Sequence, residues 1–176
     1  MKKVMHGRIP DPARMAGILL VLCAITALAL AWAPLPAASA VTRGPSLESA
    51  VLSEMNLARA RNKRAPLRAI DTLTRPARAH SRYLLSVGQL SHDSRDGSPF
   101  WTRLERAGFP RNRAMGENLV ELGGCNASTA RLAVRLWMQS PDHRVILLSP
   151  RFHWAGLGAA SDGDCDTTVI TADFGG

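Results

Sequence analysis

A chain of 176 residues with 46% apolar content can bury one sizeable core and is too short for two ordinary domains, which excludes a disordered chain and a multidomain assembly. The net charge is +8, of which the first forty residues carry +3, leaving +5 for the remainder. With no Lys/Arg run of five or more and no aromatic-basic stripe, that excess reads as a solvated surface, and no specific nucleic-acid partner is expected.

The N-terminus reads as an export signal. Residues 1–14 are basic, Met15 to Trp32 is an unbroken apolar run, and Ala38-Ser39-Ala40 offers small residues at a cleavage spacing. The expected division is a signal peptide over 1–40, a linker over 41–45 and one domain over 46–176. The rival reading is an uncleaved membrane anchor, because an apolar run of this length can just span a bilayer. The membrane enters only through this segment, and in both readings the domain faces the outside. Cys23 lies inside the apolar run and reads as one of its small apolar residues. Cleavage leaves two cysteines, Cys125 and Cys165. In an oxidising compartment an isolated pair is expected to bridge, the alternative being two buried thiols. Two thiols so far apart do not make a zinc site.

Ser46 can cap a first helix with Leu47, Val51, Met55 and Ala58 on one face and Glu48, Arg59 and Arg61 on the other. Asn62 to Pro66 breaks it. A second helix starts at Asp71 or Thr72 and carries Leu73, Ala77, His80, Leu84 and Val87 as an apolar stripe, with Gly88 at its end. His80 sits on that stripe and reads as a hydrogen-bonded core histidine rather than a ligand. Asp96-Gly97 is a turn, and Ser98-Pro99 opens a third helix, Phe100 to Ala107, burying Phe100 or Trp101, Leu104 and Ala107. Glu117 to Leu122 is a strand or a single turn. Ser128 or Thr129 caps a fourth helix with Leu132, Ala133, Leu136 and Trp137 inward; Asn126-Ala127-Ser128 also matches a glycosylation sequon. Pro141 stops this helix, His143 follows in a polar junction, and Val145 to Leu148 is a short helix. Ala155 to Ala160 and Thr167 to Phe174 form a hairpin. Helices first and strands last, without βαβ alternation, give an α+β layered domain.

His92, Glu117 and His143 are the candidate polar constellation. Two neutral imidazoles and a carboxylate suit a divalent metal such as zinc with one position open to water. Spacing alone makes this a weak signal, because no two of the three lie within one helical turn.

Several strings carry a resemblance: Leu90-Ser91-His92, Met115-Gly116-Glu117-Asn118-Leu119, and Trp137-Met138-Gln139-Ser140-Pro141-Asp142-His143-Arg144. Ala79-His80-Ser81, Ser149-Pro150-Arg151-Phe152, Ala155-Gly156-Leu157-Gly158 and Asp173-Phe174-Gly175 extend it. Together, from about Ser46 to Gly175, the chain resembles the bacterial branch of the CAP superfamily, the cysteine-rich secretory, antigen 5 and pathogenesis-related-1 (SCP-like) family. The resemblance implies a three-layer α-β-α sandwich, here about four helices around a small, mainly antiparallel sheet. It also implies a surface cleft lined by His92, His143 and Glu117, supported by Asn118 and Ser140. The family's second acid falls at Ser140, so the tetrad is incomplete; Glu121, four residues after Glu117, reads as a solvated glutamate. Residue 142, usually glycine, is Asp142. His153 beside Trp154 departs from the family pattern and reads as a strand-edge pair. The implied function is a secreted binding module whose cleft takes a metal or small ligand, with an extracellular or cell-surface partner. The alternative is a metal- or His-dependent extracellular hydrolase using His92, Glu117 and His143. A third reading is that the polar cluster only pins the cleft.

Overall fold

The computed structural model describes residues 46–176. The expected signal and linker lie outside the described residues. Five helices and four strands occur among them: α1 Leu47–Arg61, β1 Arg68–Ala69, α2 Asp71–Val87, α3 Phe100–Arg106, β2 Met115–Leu122, α4 Ala127–Gln139, α5 Pro141–Leu147, β3 Trp154–Ser161 and β4 Thr168–Gly175. The strands form one sheet in the order β1-β3-β4-β2, antiparallel except for β1 beside β3. Glu117 to Leu122 is therefore part of a strand, and the expected hairpin is β3–β4. The fold is the expected α+β sandwich. None of the described helices is long and apolar enough to cross a membrane.

One face of the sheet packs on α1, α4 and α5. Val51, Met55, Ala133, Trp137 and Leu147 meet Val120, Ile170, Ala172 and Phe174 in the main core. On the other face Leu73 and Leu84 of α2 pack with Leu104, Phe109, Leu119 and Val169 in two smaller clusters. Side chains alternate along a strand, so residues 117 and 119 of β2 face α2 while 118 and 120 face α1 and α4. That alternation fixes the site.

Helix α2 lies unusually close to β3. A Cβ on Gly156 would stand 2.0 Å from the Leu73 backbone, and one on Gly158 would stand 2.2 Å from that of Ala77. Only glycine permits this approach. Ser81 then reaches across the sheet, donating to the Gly158 carbonyl at 2.9 Å and accepting the Thr171 amide at 3.1 Å.

Several sequence expectations change. Arg59 is buried, not on the solvent face. It lies one turn after Met55 and two after Val51, so it shares their stripe despite its charge. Its guanidinium donates to the carbonyls of Ala65 at 2.7 Å, Leu147 at 2.7 Å, Ser149 at 3.1 Å and Phe152 at 3.2 Å. It thus caps the C-terminal end of α5 and fastens the following loop to α1. Burial, with the charge of Arg64 beside it, lowers its pKa from the ordinary arginine value.

The buried stripe of α4 is Ala130, Ala133, Val134 and Trp137, while Leu132 and Leu136 are exposed. Val87 and Trp101 are exposed as well, and Ala107 is half-buried. Asn126 rather than Ser128 or Thr129 caps α4, in a reciprocal box with Thr129. Pro99 rather than Ser98 occupies the cap position of α3, and Ser98 instead donates to Asp96 at 2.6 Å. α2 does start at Asp71, one of the two expected positions, behind Ile70, which makes no side-chain cap bond. Pro141 does not leave a polar junction behind it: Ser140 ends α4 and also precedes α5, whose first residue is Pro141. A proline needs no amide partner there, and His143 consequently sits in the first turn of α5. The cysteines are bridged, Cys125 to Cys165, with Cα atoms 5.6 Å apart.

Candidate functional site

The site gathers on both sides of edge strand β2. Toward α2 and α3, Glu117 is sealed in the sheet, its side chain 1% exposed, while His92 on the loop after α2 is 57% exposed. Their Nδ1 and Oε1 atoms stand 2.6 Å apart. The second carboxylate oxygen pairs with the guanidinium of Arg103 on α3. Arg103 also donates to the His92 carbonyl at 3.0 Å, holding the loop that carries the imidazole. Directly across the β2–β4 register from Glu117 lies Asp173. It is fully buried, neither of its oxygens has a hydrogen-bond partner, and its Oδ1 lies 3.8 Å from Arg103.

These contacts set the protonation states. The Arg103 charge against Glu117 favours the carboxylate, so His92 donates its Nδ1 proton to it. The Nε2 lone pair of His92 is then left for solvent or a ligand. Burial and then the Arg103 charge lower the His92 pKa below the ordinary histidine value. Asp173 is pushed up to about 7, chiefly by burial, with Arg103 pulling the other way. His80 behaves as the core histidine expected: buried, donating Nε2–H to the Ser91 carbonyl at 2.9 Å, and lowered to about 4 by burial and the Arg103 charge.

On the opposite face of β2, Asn118 donates to the His143 carbonyl at 3.0 Å, and the His143 Nδ1 lies 2.8 Å from Ser140 Oγ. Trp137 donates to the Leu119 carbonyl at 3.0 Å, closing part of the strand edge. The structure therefore forms two groups: His92 with Glu117, and His143 with Ser140 and Asn118. Adjacent residues of β2 join them. A cleft of about 420 Å³ beside the first group is lined by His92, Phe100, Met115, Gly116, Glu117, Ile146 and Phe152, and the expected cleft residues His143, Asn118 and Ser140 are not among its walls. Glu121, also on β2, is exposed at its other end.

A divalent metal is what the resemblance implies, and the residues do not fit one as they stand. Both Glu117 oxygens are engaged, one of them by a guanidinium that already supplies the positive charge. Among the described residues no three His, Cys, Asp or Glu side chains gather closely enough to hold a metal. A Ser140–His143 nucleophile pair lacks an acid on the imidazole, since the ring's hydrogen-bond partner is the serine itself.

Sequence reasoning missed Arg103 and the burial of Asp173. The signal was parity. Glu117 shares its strand face with buried Leu119, and Asp173 shares its face with buried Val169 and Thr171. Two acids facing a core require a cation, and Arg103 flanks Leu104, the buried residue of α3.

The profile of the cysteine-rich secretory protein family, CAP, matches residues 52–174. An uncharacterized protein, YkwD, of Bacillus subtilis strain 168 is 30% identical over 126 residues, covering 71% of this chain and 47% of that protein. The chain thus spans about half the length of this curated relative. Among solved structures, an extracellular protein containing an SCP domain from Bacillus anthracis superposes with a TM-score of 0.58 at 25% identity, covering 73% of this chain and 39% of that one. An outer surface protein of Borrelia burgdorferi superposes with a TM-score of 0.60 at 20% identity, covering 71% of this chain and 88% of that one, a likeness of fold alone.

Proposed function

Since the chain belongs to the cysteine-rich secretory protein (CAP) family, we propose that it is an exported binding module whose cleft beside β2 takes a small polar ligand on the free nitrogen of His92. One observation carries this reading. A buried carboxylate holds an exposed imidazole by a 2.6 Å contact, and that carboxylate is itself held by Arg103. Rigid support of this kind fixes the ring's direction and tautomer before a ligand arrives, lowering the ordering cost of binding. Met115, Phe100 and Ile146 give the cleft apolar walls, and the Nε2 acceptor gives it one oriented polar contact, the usual make-up of a small-molecule site. A ligand that donates a hydrogen bond, such as a hydroxyl or amide group, matches it. Export is supported by the signal-like N-terminal sequence and by relatives described as extracellular or outer-surface proteins.

The test is a ligand screen followed by NMR shifts of the His92 ring. Hydroxyl- or amide-bearing compounds are expected to move the His92 Nε2 signal saturably and to lose binding in His92→Ala but not in His153→Ala. Hits that leave the His92 signal unmoved would defeat the reading.

The alternative is a His-dependent extracellular hydrolase, favoured by the same pair: an imidazole oriented by a carboxylate is a general base for water. Turnover of peptide or ester substrates that disappears in His92→Ala would replace the binding reading with this one.

A further inference from the structure

A cavity of about 870 Å³ lies outside the cleft. It is bounded by α2, α3 and the 91–98 loop, and four arginines line it: Arg75, Arg95, Arg103 and Arg106. Two of these charges are matched locally. Arg103 pairs with Glu117, and Arg106 donates to Asp96 Oδ2 at 2.6 Å. Asp96 is the one carboxylate in the lining, and its Ser98 and Arg106 hydrogen bonds hold it below the ordinary carboxylate range. The other two charges are not matched. Arg75 reaches only the Ala107 carbonyl, at 3.3 Å, and among the described residues neither Arg75 nor Arg95 meets a carboxylate. Ser94 also borders this cavity, and its hydroxyl oxygen is shielded from solvent and has no hydrogen-bond partner. A buried hydroxyl without a partner costs about 1–3 kcal/mol unless something else satisfies it.

We propose that this cavity binds an oxyanion, a phosphate or carboxylate group carried on a small apolar body. Arg75 and Arg95 supply the unmatched charge, with Ser94 beside them on the 91–98 loop. Guanidinium forks suit both kinds of oxyanion because two parallel N–H groups meet two oxygens. Pro76 and Tyr83 of α2 form the wall on which the apolar part rests. The volume is that of a site for a small molecule, not of a polymer track. Asp96 does not cancel this preference, because Arg106 neutralises it in place.

Isothermal titration of the purified full-length chain at low ionic strength tests this with phenyl phosphate, benzoate and phenol. Saturable binding of one or both anions, with phenol much weaker, is the expected result. Phenyl phosphate well above benzoate identifies a phosphate site, and equal affinities identify a site for either oxyanion. Exchanging both Arg75 and Arg95 for Ala is expected to weaken the anion at least about tenfold, while Arg151→Ala does not. The Arg75→Gln, Arg95→Gln pair repeats the test without deleting the side chains' polar reach. Phenol binding as well as the anions, no saturable anion binding, or double variants that bind like wild type would overturn the proposal.

Discussion

Glu117 is closed off from water while its partner His92 is open to it, and 2.6 Å separate their bonded atoms. The pair therefore spans the boundary between core and cleft. Whatever disturbs the carboxylate is felt at the exposed nitrogen, and the carboxylate depends in turn on Arg103.

Removing the charge of Glu117 leaves the largely buried Arg103 with only Asp173, at 3.8 Å, opposite it. Breaking one partner of a buried pair costs about 3–5 kcal/mol. Glu117→Gln is thus expected to unfold at a clearly lower temperature in calorimetry, by the same amount with and without added zinc. A zinc-dependent rise in the melting temperature of the wild type, lost in the variant, would restore the metal reading.

Asp173 and His80 give stability opposite pH slopes. Asp173 titrates near 7 folded against 3.8 ordinarily, so the folded state holds the extra proton in that window and stability falls as pH rises through it. His80 titrates near 4 folded against 6.5 ordinarily, so the unfolded state holds the extra proton and stability falls as pH drops. The stability of Asp173→Asn relative to wild type should increase from pH 4 to 7, by at most about 1.4 kcal/mol per pH unit. His80→Gln should improve relative to wild type from pH 6.5 down to 4. Denaturant titrations across this range read both differences.

Arg59 joins α1 to the end of α5 and the loop after it through three carbonyls, and to its own following loop through a fourth, that of Ala65. Arg59→Met fills most of the space but strands those acceptors, so a loss of roughly 3 kcal/mol or more is expected from urea unfolding. A loss below about 1 kcal/mol would mean that water replaces the guanidinium.

The Cys125–Cys165 bridge ties the segment before α4 to the β3–β4 turn across 40 residues. In the chain-entropy description it contributes about 4 kcal/mol. Reduction should lower the melting temperature without moving the His92 ring signals, because the bridge lies at the opposite end of β2 from Glu117.

Much of this was legible in the chain. Val51, Met55, Leu73, Ala77 and Leu84 announce their helices by spacing, and Gly88 announces a helix end. His80 reads as core from the stripe it shares. Residues that broke a simple polarity rule were harder. Arg59 looks like surface until its spacing from Met55 is weighed above its charge. Leu132 and Leu136 look inward because leucine is apolar, yet Ala130 and Val134 join the expected Ala133 and Trp137 in the core in their place. In the site, the motif strings pointed to His92 and Glu117. Arg103 belongs to no such string and enters only because the sheet register sets Asp173 beside Glu117. Cross-strand neighbours cannot be counted from sequence until pairing is known.

The tautomer and titration of His92, read by nitrogen-15 NMR in wild type and in Glu117→Gln, test the cleft most directly. In the wild type, Nδ1 should carry the proton, Nε2 should be bare, and the titration midpoint should lie below the ordinary 6.5. The tautomer preference should weaken in the variant. A wild-type ring protonated at Nε2, or one that titrates above 6.5, would contradict a carboxylate-oriented imidazole waiting for a donor.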